Sequence, residues 1–304
     1  MSKTLSLKTT VSDLHLCQRC PRLLAKKLSG DLNVWRVGLK GSSFCGKIFH
    51  DNIAAPFHRD AAKQRGLKKR REIIDLFISN ADDRQAMRKT FFDHIYRTYL
   101  FPYLVENSQN FESGQIDAFS TIIERWGDFL INFFLSNPGF RDDPATFTNY
   151  AFSLPPEKNM KANFAAADDT ILTIGGRFDS ALLDKTNSEV LLVEYKCRRE
   201  TDHAEDIVQL ALYAWLIWQD TGVRPRASIL YLEESEPEAT YSAKDMEDII
   251  RQFSSLFDCA IQVIRANKLR KEYTPPKTSD PRLCKVCHYA NDCADDLGLT
   301  PACL

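Results

Sequence analysis

The nine cysteines of this chain lie mostly near its two ends, and this distribution constrains the fold more than any other sequence feature. Two lie near the start, and four lie near the end: Cys17 and Cys20, then Cys284, Cys287, Cys293 and Cys303. An odd number leaves at least one cysteine unpaired in any disulfide scheme, so metal ligands or buried thiols are favoured over disulfides. A single site built from both groups would require the two ends of the chain to meet.

Length and composition predict a globular protein of two domains, or of one domain with a large insertion, because the chain has 304 residues. The longest apolar stretch, 210–218, has about half the length that a bilayer requires, and the first residues lack the apolar region of a signal peptide. We therefore expect no membrane association and a cytoplasmic location. Lys and Arg total 40 against 41 Asp and Glu, so attraction to nucleic acid must come from local charge.

Apolar spacing predicts helices first and a sheet afterwards. Residues 60–145 carry apolar side chains at three- and four-residue steps, which predicts mostly helix, including one helix over 120–135. Short β-branched or apolar runs then predict strands over 146–154, 170–174, 181–183, 189–196 and 227–232. Further helices are predicted over 202–219 and, as one long amphipathic element, over 242–268. This order predicts an α/β core that carries a helical insertion.

Two charged residues stand at the end of the most apolar predicted strand. Glu194 and Lys196 follow Val190-Leu-Leu-Val193, and because they are two positions apart their side chains share one face. Asp179 follows the strand ahead, and hairpin pairing would place its carboxylate beside that of Glu194. Two adjacent carboxylates repel each other unless a cation lies between them, and Mg²⁺ takes one or two carboxylates with phosphate and water oxygens. Lys196 would then stabilise charge on an attacked phosphate, or orient and deprotonate water.

Three more polar residues complete the pattern, although each alone is more often structural. Gln209 and Tyr213 are four apart on the predicted helix 202–219 and so share a face. His50 follows Gly46 by four residues. In chain order the set is Gly-x₃-His, Asp, Glu-x-Lys and Gln-x₃-Tyr.

This joint pattern resembles the RecB-like branch of the PD-(D/E)XK nuclease superfamily, and the ends of the chain resemble the CRISPR-associated iron–sulfur exonuclease family within it. The resemblance covers about residues 20–55 and 146–293. It implies a restriction-endonuclease-like mixed sheet core flanked by helices, with an iron–sulfur staple joining the N- and C-terminal regions. The expected organisation is an N-terminal segment (1–59), a helical insertion (60–145), the nuclease core (146–270) and a C-terminal cysteine region (271–304). The family pattern does not explain residues 60–145.

The resemblance also implies a role for each site residue. His50, Asp179 and Glu194 would bind Mg²⁺ or Mn²⁺ with help from the backbone carbonyl of Tyr195. Asp179, Glu194 and Lys196 would be catalytic, and Gln209 and Tyr213 would face the DNA.

The cysteines would hold a second cofactor. The family places one cysteine, often followed by proline, before the nuclease core and three after it, which here implies a [4Fe–4S] cluster on Cys20, Cys284, Cys287 and Cys293. However, Cys17 and Cys20 form a Cys-x₂-Cys pair, so a zinc site on Cys17, Cys20, Cys284 and Cys287 stays open as an alternative.

A basic run in the insertion is a candidate contact for DNA. Residues 63–71 contain six positive charges and no acid, among them Lys68, Lys69, Arg70 and Arg71. Such a run binds phosphates by counterion release, although a solvated basic helix face would look the same.

We therefore expect a metal-dependent deoxyribonuclease, an exonuclease on single-stranded DNA ends, working in CRISPR adaptation, antiviral defence or related DNA processing. The alternatives are a nuclease subunit of a recombination or anti-phage system beside a separate helicase, and a non-catalytic iron–sulfur DNA-binding subunit.

Overall fold

The computed structural model describes residues 4–31, 33–34, 43–63, 72–78, 80, 82–111, 113–137, 139–140, 159–184, 189–197, 203–233, 238–278 and 280–293. Within these residues no helix combines the length and the apolar character needed to cross a membrane. The predicted strand over 146–154 and the basic residues Lys68, Lys69, Arg70 and Arg71 lie outside the described residues.

A three-stranded sheet joins the N-terminus to the middle of the chain. Its strands are β1 (Leu5–Thr10), β2 (Met160–Ala165) and β3 (Thr170–Gly176), in the order β1-β3-β2. β1 runs parallel to β3, and β2 runs antiparallel to it. The sequence predicted β3 but neither β1 nor β2, because polar residues interrupt the apolar ones in both strands and each depends on pairing with β3.

A four-stranded mixed sheet contains the most apolar strand of the chain. Its strands are β4 (Ser180–Asp184), β5 (Glu189–Lys196), β6 (Arg226–Tyr231) and β7 (Glu238–Tyr241), in that order. β5 is antiparallel to β4 and parallel to β6, so it lies inside the sheet and is buried on both faces. A strand in this position reads as a continuous apolar run, which is why the sequence predicted its exact limits. The predicted mixed sheet core is thus present, divided into two hydrogen-bonded sheets.

The helices surround these sheets. The described α-helices are α1 (Val11–Arg19), α2 (Pro21–Leu28), α3 (Ser43–Ile48), α4 (Ala55–Lys63), α5 (Glu72–Ile78), α6 (Arg84–Ile95), α7 (Phe101–Glu106), α8 (Ser113–Leu135), α9 (His203–Thr221), α10 (Ala243–Ile250), α11 (Phe253–Leu269) and α12 (Pro281–Val286). A π-helical turn, Phe49–Ala54, connects α3 to α4. The prediction of helix over most of 60–145 is confirmed for the described residues, although α8 begins seven residues before the predicted start at residue 120.

The prediction of a single helix over 242–268 is wrong, because two helices occupy this stretch. α10 begins with a capping box between Ser242 and Asp245, and the chain turns at Arg251 and Gln252 before α11 begins. The apolar positions continue at helical spacing across the turn, from Met246 to Phe253 and Phe257. Periodicity therefore gave no sign of the break.

The two faces of β5 contact two different groups of helices. Leu191, Val193 and Tyr195 join a buried cluster with α4, α6 and α8, whereas Val190 and Leu192 join a cluster with α1, α9 and α11. Side chains alternate along a strand, so Glu194 and Lys196 face α9 while Tyr195 faces the helical region 60–145. That region shares its core with the sheet, and the predicted domain limits stay a prediction.

His58 lies in this shared core and gives it a pH dependence. Its ring stacks on Tyr195, with Nε2 3.5 Å from the tyrosine hydroxyl, and burial lowers the pKa of His58 to about 3. Between about pH 6.5 and that value, the unfolded chain binds a proton that the folded chain excludes, so stability falls as the pH falls. We expect His58→Phe, which keeps a ring at this position, to reduce the loss of stability as the pH falls. Urea unfolding midpoints between about pH 4 and pH 7 measure it, and parallel curves for the two proteins would contradict the assignment.

Candidate active site

The end of β5 brings Glu194 and Lys196 into direct contact. Lys196 Nζ donates a hydrogen bond of 3.0 Å to Glu194 Oε1, and both side chains are largely buried. The prediction that they share a face is confirmed.

Asp179 reaches the same place from the residue before β4. Ser180 pairs with Val193, so the antiparallel register brings Asp179 beside Glu194. The backbone N–H of Tyr195 donates to Asp179 Oδ2 at 2.9 Å, and this bond fixes the carboxylate. His50, on the π-helical turn after α3, places Nδ1 3.3 Å from Asp179 Oδ1. The structure thus brings His50, Asp179 and Glu194 to one end of the sheet.

One carboxylate oxygen of Glu194 is buried and accepts no hydrogen bond from the described residues. Its Oε2 atom has no partner among the described residues, whereas Oε1 accepts from Lys196. Burial, together with the negative charge of Asp179, raises the pKa of Glu194, and the ammonium group of Lys196 opposes this shift. An orphaned oxygen beside a second carboxylate is chemically suited to a hard cation, which takes oxygen ligands. In the described part of the chain, however, no three His, Cys, Asp or Glu side chains are already arranged around a metal position.

Helix α9 supplies the other acceptors for Lys196. Gln209 Oε1 accepts from Lys196 Nζ at 2.9 Å, and Asp206 Oδ1 lies 3.5 Å from the same nitrogen. Burial alone would lower the pKa of Lys196, but the carboxylates of Glu194 and Asp206 outweigh it and raise the pKa above its ordinary value. Lys196 is therefore an ammonium ion held by two hydrogen bonds and one longer ion pair.

Asp206 is the site residue that the sequence analysis missed. It is only 1% exposed, and its Oδ2 atom accepts a 2.9 Å hydrogen bond from the hydroxyl of Tyr231 on β6. It lies three residues before Gln209 and seven before Tyr213, so the same helical spacing that linked those two residues could have indicated it.

Tyr213 lies at the edge of the site. Burial raises the pKa of its hydroxyl, the charges of Glu194 and Asp179 raise it further, and the hydroxyl contacts Gln209. Its ring also lines a cavity of about 720 Å³ at the end of β3. Gln209 is thus bound to Lys196, and whether Gln209 and Tyr213 face DNA stays a prediction.

Four cysteines line a separate cavity. Cys20, between α1 and α2, faces Cys284, Cys287 and Cys293 of the C-terminal region across about 200 Å³. All four are free thiols. Burial raises the pKa of Cys20, and burial with the neighbouring Cys287 and Cys293 raises that of Cys284. The structure therefore brings the two ends of the chain together at a thiol-lined space.

Cys17 lies elsewhere. It is buried between α1 and α11, where its Sγ atom is 3.9 Å from Sγ of Cys259. Cys303 lies outside the described residues. The pairing of Cys17 with Cys20 in the zinc alternative thus has no support in this arrangement.

Comparison with known proteins gives one match over most of the chain. A family model described as the PD-(D/E)XK nuclease superfamily matches residues 8–294. No curated protein matches the chain significantly. Among solved structures, the crystal structure of SSO0001 aligns with 98% of this chain and 89% of its own, at 13% identity and a TM-score of 0.34.

Proposed function

The chain belongs to the PD-(D/E)XK nuclease superfamily, and on this premise we propose that it hydrolyses phosphodiester bonds in DNA, as a Mg²⁺- or Mn²⁺-dependent exonuclease acting on single-stranded ends. The observation that carries the proposal is the position of Lys196. Its ammonium group is held by Glu194, Asp206 and Gln209 beside the fixed carboxylate of Asp179. A buried cation beside two acids at the end of a strand has a clear use in a hydrolase, because it can stabilise charge that develops in the transition state.

The metal-binding residues in this proposal are His50, Asp179 and Glu194, with the backbone carbonyl of Tyr195. Such an ion would polarise the phosphate and lower the pKa of the attacking water. The free Oε2 atom of Glu194 and the Asp179 carboxylate supply the hard oxygen donors for it. The backbone N–H of Tyr195 holds Asp179 in place, and Lys196 would stabilise negative charge on the attacked phosphate.

We also propose that Cys20, Cys284, Cys287 and Cys293 hold a [4Fe–4S] cluster. The four thiols line one cavity together, and four thiolates are the usual ligand set of such a cluster.

We further propose that the protein works in CRISPR adaptation or related DNA processing, or in a recombination or anti-phage system with a separate helicase. The contrasting function is a non-catalytic iron–sulfur subunit that binds DNA.

Incubation with end-labelled DNA tests the activity. We expect single-stranded linear DNA to be shortened with Mg²⁺ or Mn²⁺, no reaction with chelator, slower loss of duplex, and survival of circular single strands. Cleavage of the circular single strands would show that the protein is an endonuclease and not an exonuclease. Binding of DNA without cleavage under every metal condition would favour the non-catalytic subunit.

A further inference from the structure

A basic groove lies beside the catalytic residues and has no role so far. It is the cavity of about 720 Å³ between β1, the start of α1 and the end of β3. Among the described residues, its lining contains no Asp or Glu and four cationic side chains, Lys8, Lys27, Lys161 and Arg177. Lys27 is paired with Asp13 on α1. The other three form no ion pair with any described residue and are exposed to solvent.

Strand pairing explains why these cations share one surface. Lys8 on β1 is opposite Thr173, and Lys161 on β2 is opposite Gly175. Residues 173 and 175 of β3 are two apart, so both pairs lie on the same face of the sheet. Gly175 has no side chain, which leaves the surface between the two lysines open. Arg177 follows two residues later, and Asp179 of the active site two residues after that.

The groove connects to the reacting centre through Tyr213. This residue lines the groove, its hydroxyl contacts Gln209, and Gln209 contacts Lys196. Gly176 makes this arrangement possible, because a Cβ atom there would lie 3.0 Å from the Tyr213 ring and 2.7 Å from Val11. The end of β3 therefore allows the tyrosine to lie between the groove and the site.

We propose that this groove binds the phosphate backbone of the nucleic acid on one side of the cleavage position, with Lys8, Lys161 and Arg177 each neutralising a phosphate. This inference rests on the proposed function, since it assigns a substrate path to the same site. Three unpaired cations beside a surface of hydroxyl groups, without a carboxylate, suit a polyanion with repeated charges. Arg177 lines the groove and is two residues before Asp179, so a strand held in the groove would lie close to the proposed metal-binding residues.

Binding of a fluorescent single-stranded oligonucleotide, measured in chelator at several salt concentrations, tests the groove without any cleavage. The test variant combines Lys8→Gln, Lys161→Gln and Arg177→Gln. The control variant removes the same charge from exposed residues outside the groove, by Lys244→Gln, Lys271→Gln and Arg84→Gln. Since each lost phosphate contact lowers the salt slope by about 0.7, we expect the slope of the test variant to fall by about 2 and that of the control to stay unchanged.

A double variant, Lys8→Gln with Lys161→Gln, leaves Arg177 intact next to the active site and should lower the slope by about 1.4. An unchanged slope in both groove variants, with DNA cleavage by the wild-type protein intact, would overturn this inference and leave the nuclease proposal standing. An equal loss in the control would also overturn it, because net charge and not the groove would be responsible. A lower slope in the groove variants, when the wild-type protein never cleaves DNA, would support the groove and contradict the proposed function.

Discussion

Lys196→Ala is expected to lower the rate of DNA cleavage by about 10²-fold or more, because it removes an ammonium group that lies beside Asp179 and Glu194, the two acidic residues of the proposed metal site. The same change should destabilise the fold. It leaves Asp206, which is 1% exposed, and the buried Glu194 without their cation, and breaking a buried pair of this kind typically costs about 3–5 kcal/mol. Loss of activity in this variant alone would therefore not separate catalysis from folding.

A second substitution separates the two effects. Asp206→Asn removes one of the stranded negative charges but keeps a polar group near Tyr231, whose hydroxyl bonds to Asp206. The double variant Lys196→Ala, Asp206→Asn should regain much of the lost melting temperature and none of the activity. Single-turnover cleavage and thermal melting of the four proteins of the cycle measure both quantities. Lys244→Ala, at an exposed position of α10, serves as the matched control. Wild-type rates in either Lys196 variant would refute the assignment.

The central strand and its chemistry could be predicted because the information is local. β5 is apolar on both faces, so its limits are visible in the sequence, and a period of two places Glu194 and Lys196 together without any knowledge of the fold. The turn before β4 is also local, which is how Asp179 could be placed beside Glu194. The positions of Asp179, Glu194 and Lys196 relative to one another therefore depend on one hairpin and on no contact between distant segments.

The parts that escaped prediction depend on distant pairing. β1 is a short polar strand that pairs with β3, more than 160 residues away in the sequence, as in the pair Leu5 and Thr170. Asp206 has the same helical spacing as Gln209 and Tyr213, but its part in the site depends on its distance to Lys196 and on its bond from Tyr231, which join separate segments. The packing of residues 60–145 on the sheet could not be predicted either. It depends on contacts such as that of Trp126 on α8 with Tyr195 on β5, whose ring centroids are 6.2 Å apart. These contacts join segments that are far apart in the sequence, and the local pattern of one segment does not predict its contact with the other.

The cysteine cavity leads to the other large expected effect. Cys20→Ala should yield colourless protein that melts early and aggregates, whereas the wild-type protein should be brown and contain about four irons per chain. The reason is that Cys20 is the only described ligand candidate from the N-terminal end, facing Cys284, Cys287 and Cys293 across the cavity. Closing a loop of about 260 residues removes unfolded-state entropy worth on the order of 5 kcal/mol by the disulfide formula, an upper guide for a metal staple.

Cys17→Ala is the matched control for this test, since Cys17 lies three residues away and is also buried. Its thiol faces Cys259 in the core between α1 and α11, so its loss should cost only packing and leave both colour and iron content unchanged. Iron and zinc analysis with visible absorbance spectra decides between the ligand sets. Stoichiometric zinc in colourless wild-type protein would overturn the cluster, as would a Cys17→Ala protein that loses its metal while Cys20→Ala keeps it. Either result would leave the nuclease proposal intact, because Asp179, Glu194 and Lys196 belong to a different part of the fold.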